Sequence, residues 1–309
     1  MKKKIVIGTR TSELALWQTN HVKSEIEKHN PGITVELKLI KTKGDKILDV
    51  ALSKIGDKGL FTKELENALL NGEVDLAVHS LKDLETEMPE GLMLGAVSKR
   101  HPVEDVLIAK VKNMTIQKLP KGAKVGTGSL RRRCQILKAR PDLQIEELRG
   151  NVPTRIKKLH ESDWDAIILA RAGVERLGLT ENISSYIPVD KVLPAVGQGA
   201  LGLQIRTDDT GTLEIIKSLH DEETFIAVTA ERRMLRVLEG GCQVPIGALA
   251  QVRKNGLYLD GFVGSLDGKT YYRKKMRGSL KKPAELGEKM AKELIAMGAD
   301  KILQEIKSN

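Results

Sequence analysis

Along the first two thirds of the chain, apolar positions recur with two alternating periods. "KIVIGTR" (4–10) is a short apolar run that predicts a buried strand, and "SELALWQTNHVKSEIEKH" (12–29) has helical spacing with Ser12 placed to cap it. "TVELKLIKT" (34–42) alternates as a strand does. "TKELENALLNG" (62–72) is helical and closes on glycine, and "VDLAVHSL" (74–81) is apolar enough for a central strand. The same order then repeats. "EDVLIAK", "AKVGTG", "LQIEELRG" and "DAIILA" read as strands, and "SLRRRCQILKAR" and "NVPTRIKKLHES" as helices, all between 104 and 170. Strands alternating with helices predict α/β architecture with parallel or mixed sheets. "PAVGQGALGLQIR" (194–206) is rich in glycine and small residues.

The last third has a different rhythm. "EETFIAVTAERRMLRVLEGG" predicts a helix ending at Gly240 and Gly241. Strand runs between 247 and 278 are broken at "KNG" and "LDGK", both hairpin signals. "KPAELGEKMAKELIAMGADKILQEI" (282–306) predicts one closing amphipathic helix. A small α+β domain is expected here, carrying Cys242 on the loop between its first helix and its sheet. At 309 residues the chain is long for one core, so two or three domains are expected.

Composition narrows the function. The net charge is +10, which favours an anionic partner, but only 3% of residues are aromatic. That poverty argues against gripping single-stranded nucleic acid, which is held by stacking on rings. Duplex binding stays open on charge alone, and lysines on solvated faces account for part of any such surplus. Eight of the seventeen arginines fall between Arg131 and Arg176. The planar guanidinium holds carboxylates and phosphates through paired bonds, so this clustering suggests a small ligand with several acidic groups. The opening "MKKKIVIGTRTSE" is basic but its apolar run is too short for a secretory signal. The two cysteines, Cys134 and Cys242, have no metal-ligand or disulfide spacing, and a cytoplasmic protein without a metal is expected. Cys134 shares a helix face with Leu130 and Leu137 and reads as core.

Candidate chemistry sits at turns. Arg10 and Ser12 follow the first strand at a helix start, where free N–H groups and the helix dipole favour anions. Thr127, Ser129, Arg131 and Arg132 repeat that arrangement in "GTGSLRRR", and Arg149 and Arg155 surround a third such turn in "LRGNVPTR". Lys58 and Phe61 lie in a glycine-rich loop. Lys82 and Asp83 end an apolar strand, the edge where α/β proteins bind ligands. Taken singly, each has a plain alternative: Asp83 as a cap or ion-pair partner, the arginine pair as a solvated face, Cys242 in "EGGCQVPIG" as a small apolar residue in a tight turn.

Together they are more specific. "GTRTSELALWQ", "GDKGLFTKELE", "HSLKD", "GTGSLRRRCQ", "LRGNVPTR", "PAVGQGALG" and "LEGGCQVPIG" cover nearly the whole chain, and in this order and spacing the sequence resembles the porphobilinogen deaminase (hydroxymethylbilane synthase) family. The resemblance implies two α/β domains like type II periplasmic binding proteins, 1–99 with 200–217 and 100–199, and a small α+β domain, 218–309. It implies a transferase of tetrapyrrole biosynthesis with a covalent dipyrromethane cofactor in thioether linkage to Cys242. Four porphobilinogen molecules would be joined head to tail with loss of ammonia, and water would release the linear product to the next enzyme of the pathway.

By the family pattern Asp83 would be the catalytic carboxylate. Arg10, Ser12, Lys82, Thr127, Ser129, Arg131, Arg132, Arg149, Arg155 and Arg176 would hold cofactor and substrate carboxylates, with Lys58, Phe61 and Gln198 next to substrate. A monomer with no nucleic-acid or membrane partner is implied. Three positions depart from the pattern: Glu85 stands where proline is usual, Gly128 where serine is common and Arg133 where glutamine is common. The rivals are a periplasmic-type binding module, which needs neither Cys242 nor Asp83, and a basic duplex-binding protein.

Overall fold

The computed structural model describes residues 2–46, 59–238 and 244–308. These residues form two compact units. The first gathers 2–46, 59–101 and 199–225; the second takes in 102–198 and, within the described residues, 226–308.

The first unit is a five-stranded mixed sheet of β1 (Lys4–Thr9), β2 (Thr34–Leu39), β3 (Leu76–Ser80), β4 (Leu92–Val97) and β10 (Leu201–Arg206). Its order is β2-β1-β3-β10-β4. β1 is parallel to β2 and β3, while β10 runs antiparallel between β3 and β4. Both faces are covered, so Ile5, Ile7, Leu76, Leu203 and Ile205 are fully buried. The helix Glu13–His29 starts at Ser12, whose hydroxyl accepts a hydrogen bond from the Ala15 N–H. "PAVGQGALGLQIR" thus contains a central strand hidden by its glycines. Gly199 has φ +92°, and a Cβ there would meet the His101 carbonyl oxygen at 2.4 Å, so only glycine fits this approach.

The second unit holds another five-stranded sheet: β5 (Asp105–Ala109), β6 (Lys124–Gly126), β7 (Gln144–Glu146), β8 (Ala166–Ala170) and β9 (Ser185–Ile187). Its order, β7-β6-β8-β5-β9, repeats the pattern of directions: β6 is parallel to β7 and β8, and β5 is antiparallel to β8 and β9. The same unit contains a three-stranded antiparallel sheet, β11 (Ile246–Arg253), β12 (Gly256–Gly264) and β13 (Tyr271–Gly278). Its turns fall at the two expected glycine-containing breaks, and Gly268 has φ +73°. Cys134 is fully buried with Leu193 and Phe262, as its helix-face position predicts.

One expectation fails. The closing helix is two helices, Pro283–Ala296 and Ala299–Ser308, because Gly298 at φ +107° turns the chain between them. Among the described residues no helix is long and apolar enough to cross a membrane.

Candidate active site

In both mixed sheets the candidate residues follow the C-terminal ends of the parallel strands. In the first unit β1 leads into Arg10 and β3 into Lys82 and Asp83; in the second, β6 leads into Thr127, β7 into Arg149 and β8 into the helix Arg171–Arg176. Parallel strand ends, free helix N–H groups and side chains converge on such an edge, where open α/β sheets take ligands.

At the first unit's edge, Asp83 ends the 3-10 turn Leu81–Asp83 and is exposed, and Lys82 beside it is half-buried. Arg10 lies 4.2 Å from the centroid of the Phe61 ring. Its Nε donates to both oxygens of Asp45 at 3.2 Å, and its Nη2 also pairs with that carboxylate. The Thr42 hydroxyl donates to Asp45 at 2.7 Å. Burial pushes the Asp45 carboxyl up, but Arg10 and Thr42 outweigh it and hold it below the usual carboxylate range. Behind Asp83, buried His79 donates through Nε2 to Gln204 Oε1 at 3.0 Å, and Gln204 Nε2 donates to Glu66 Oε1 at 3.1 Å. Burial lowers His79 to about 4, so the ring is neutral and carries its proton on Nε2. Burial also raises Glu66, and the charge of Glu85, one of the departures from the family pattern, adds to that rise.

At the second unit's edge, Ser129 caps the helix Leu130–Ala139 by accepting from the Arg132 N–H, and the Thr127 hydroxyl accepts from the Ser129 N–H at 3.3 Å. These hydroxyls brace the turn. Arg131 and Arg132 are almost wholly buried and converge on Asp105, which has no exposure at all. Arg131 Nη2 and Arg132 Nη2 each donate to one Asp105 oxygen at 2.8 Å. Arg131 Nη1 donates to the Leu193 carbonyl at 2.6 Å and Arg132 Nη1 to the Ile168 carbonyl at 3.0 Å. Gln198 Nε2 donates to Asp105 at 3.0 Å and to the Val103 carbonyl at 2.7 Å. Burial pushes Asp105 up, yet the two guanidinium charges hold it well below the carboxylate range; burial also draws Arg131 down. Arg149 is buried, half-buried Arg155 donates through Nε to the Gly150 carbonyl at 2.7 Å, and burial lowers Arg176 to about 10, still protonated at neutral pH.

The loop holding Gln198 is itself pinned by fully buried Glu231, which accepts from the Gly197 and Ala250 N–H groups at 2.8 Å each.

Residues 5–214 match the family model "Porphobilinogen deaminase, dipyromethane cofactor binding domain", and 225–296 match "Porphobilinogen deaminase, C-terminal domain". The chain belongs to the porphobilinogen deaminase family. Porphobilinogen deaminases of Carboxydothermus hydrogenoformans and Desulforamulus reducens are each 53% identical, over 99% and 100% of this chain and 98% and 99% of their own lengths. That of Geobacter sulfurreducens is 52% identical over 97% of this chain and 94% of its own. The activity is the family's, that of hydroxymethylbilane synthase (EC 2.5.1.61), and the cofactor is dipyrromethane.

The residues fit a polyacidic cofactor of this family. Arg131 and Arg132 bring two positive charges to one buried carboxylate, and the Nε–H of each is buried without a hydrogen-bond partner among the described residues. Such an arrangement calls for a further anion. Lys58 and Cys242 lie outside the described residues. Two departures from the family pattern have local reasons. A Cβ on Gly128 would lie 2.7 Å from the Leu148 carbonyl oxygen and 2.9 Å from Glu147 Oε1, leaving no room for serine in this turn. Arg133 is exposed and donates to the Leu266 carbonyl at 3.2 Å, so it braces the hairpin between β12 and β13.

Sequence reasoning missed Asp45, Asp105 and the His79–Gln204–Glu66 chain. For Asp105 a signal existed: an acid opening the apolar run "DVLIA". Because β5 runs antiparallel to β8, its first residue pairs with Ala170, the last of β8, and so lands on the edge that carries the candidate residues.

Proposed function

We propose that this member of the family works as a cytoplasmic monomer of three domains, 1–99 with 200–217, 100–199 and 218–309. It joins four porphobilinogen molecules head to tail and frees the linear tetrapyrrole with water for the next enzyme of the pathway, without nucleic-acid or membrane partners. The observation that supports this most is the surplus positive charge buried around Asp105, suited to a ligand that carries an acetate and a propionate on every ring.

When bound, the dipyrromethane supplies a nucleophilic pyrrole carbon for extension. Cys242 would hold it: a soft thiolate suits an electrophilic methylene carbon, and a thioether resists hydrolysis. A free thiol has a pKa of roughly 8.5, so enough thiolate is present near neutrality. Asp83 accepts hydrogen bonds from the substrate pyrrole N–H and stabilises the positive charge that develops as the C–N bond breaks. It would also shuttle protons at the amine, taking one up and giving it on so that the carboxylate is regenerated. Arg10, Ser12, Lys82, Thr127, Ser129, Arg131, Arg132, Arg149, Arg155 and Arg176 hold carboxylates, and Lys58, Phe61 and Gln198 lie beside the substrate ring.

The test is an intact mass of the purified protein. An addition equal to two linked pyrroles is expected on the wild type and should be missing from Cys242→Ser, whose hydroxyl is a poor nucleophile toward soft carbon. A Cys242→Ser protein that keeps both the adduct and full turnover would refute the anchor.

A further inference from the structure

Asp105 is assigned no role by the family pattern, yet it is the hub of the buried cluster. It receives Arg131, Arg132 and Gln198 from segments far apart in sequence, at 2.8, 2.8 and 3.0 Å. An ion triad of two cations and one anion is a poor device for stability alone, because burying the unmatched charge is costly. It makes sense if the missing negative charge arrives with a ligand. The carbonyls of Leu193 and Ile168 take one further N–H from each guanidinium, so both Nη nitrogens of each arginine are engaged and the two Nε atoms are the buried guanidinium nitrogens of the pair without partners among the described residues.

We propose that Asp105 is a positioning residue for ligand binding: it divides its oxygens between Arg131 and Arg132, fixes both guanidiniums, and leaves the pair one net positive charge for a ligand carboxylate. This rests on the reading that these arginines bind carboxylates. Asp105→Asn would keep one acceptor but turn an N–H donor toward a guanidinium, so one arginine would lose its seat. A charge-only view makes the opposite forecast. Removing a competing anion would strengthen ligand binding.

The experiment compares Asp105→Asn, Asp105→Glu and Arg132→Leu. It uses cofactor-loaded protein for porphobilinogen kinetics, freshly expressed protein for the fraction loaded by intact mass, and thermal melts for both. For Asp105→Asn the expected result is a lower loaded fraction and a KM raised about ten- to a hundredfold, with kcat in the loaded fraction changed less than about threefold. Asp105→Glu keeps the charge and should recover part of the loss. An unchanged or lowered KM in Asp105→Asn overturns the proposal, as does a lower melting temperature with loading and KM intact. If Asp105→Asn does not fold, Asp105→Glu decides: a raised KM with kcat kept supports the proposal, and an unchanged KM overturns it. Arg132→Leu separates the two levels. If it too leaves loading and KM untouched, carboxylate binding by the pair fails; if it impairs them while Asp105→Asn does not, only the role of Asp105 fails.

Discussion

The two mixed sheets share a pattern of strand order and direction but charge their candidate-site edges differently. In the first unit one arginine meets one aspartate, Arg10 with Asp45, and both side chains reach solvent, at 24% and 19% exposure. In the second, two arginines meet one aspartate and all three are nearly dry, at 4%, 6% and 0%. Water screens the first pair and leaves it neutral in sum. The second keeps a surplus cation where screening is weak, so an incoming carboxylate gains most there. The same fold therefore presents a balanced edge beside exposed Asp83 and an unbalanced edge suited to gripping acids.

Mutations can break this contrast. The largest effect is expected at Asp83: Asp83→Asn should lower kcat of loaded protein about a hundred- to a thousandfold, with Asp83→Glu retaining more and melting temperatures of both near wild type. Near-normal turnover by the Asn variant would remove chemistry from the first edge; a collapsed melt would make Asp83 a brace. Next comes Arg132→Leu, which forfeits charge-assisted bonds worth roughly 1.5–3 kcal/mol, so cofactor loading should fall and KM rise about ten- to a hundredfold. Arg253→Leu is the control, since Arg253 is exposed and, among the described residues, its side chain meets Gln251 and the Tyr258 ring.

A smaller effect, of opposite sign to that at Asp105, is expected at Asp45. Asp45→Asn releases Arg10 from a half-screened partner, so KM for porphobilinogen should fall about threefold. A rise there would erase the distinction between the two edges. The smallest is in acid stability. Both aspartates are held below their unfolded values, so each contributes stability that is full above the unfolded carboxylate pKa, about 3.9, and is lost as pH falls through the folded value. Melts from pH 6 to pH 2.5 should show the acid limb flattened by Asp105→Asn and less so by Asp45→Asn. Equal flattening would mean equal burial of the two charges in effect.

The strand-to-helix turns that carry the candidate residues were legible because their signals are local: apolar run, small polar residues, then a capped helix. Ser12 and Ser129 are helix caps for that reason. The partners of the arginines were not legible. Asp45 lies 35 residues from Arg10, and Asp105 lies 26 from Arg131; each is brought in by sheet topology that no periodicity encodes. β10 was hidden because glycine lacks the side chain that gives a strand its alternation. The break at Gly298 was overlooked because the apolar spacing of the two flanking helices runs on across it.

β10 is central in the first sheet but comes from residues 201–206, after the whole second sheet has been made. A chain emerging from the ribosome therefore completes the second sheet first, since its five strands lie between 105 and 187. Until Leu201 appears, β3 has an open edge and β4 has no strand to pair with. Open edges are where chains associate wrongly, so the first unit is the one that needs protection during synthesis. Stalled chains ending near residue 195 should resist protease across 102–190 while residues 59–101 are cut; protection of both stretches at that length would show that the first sheet closes without its central strand.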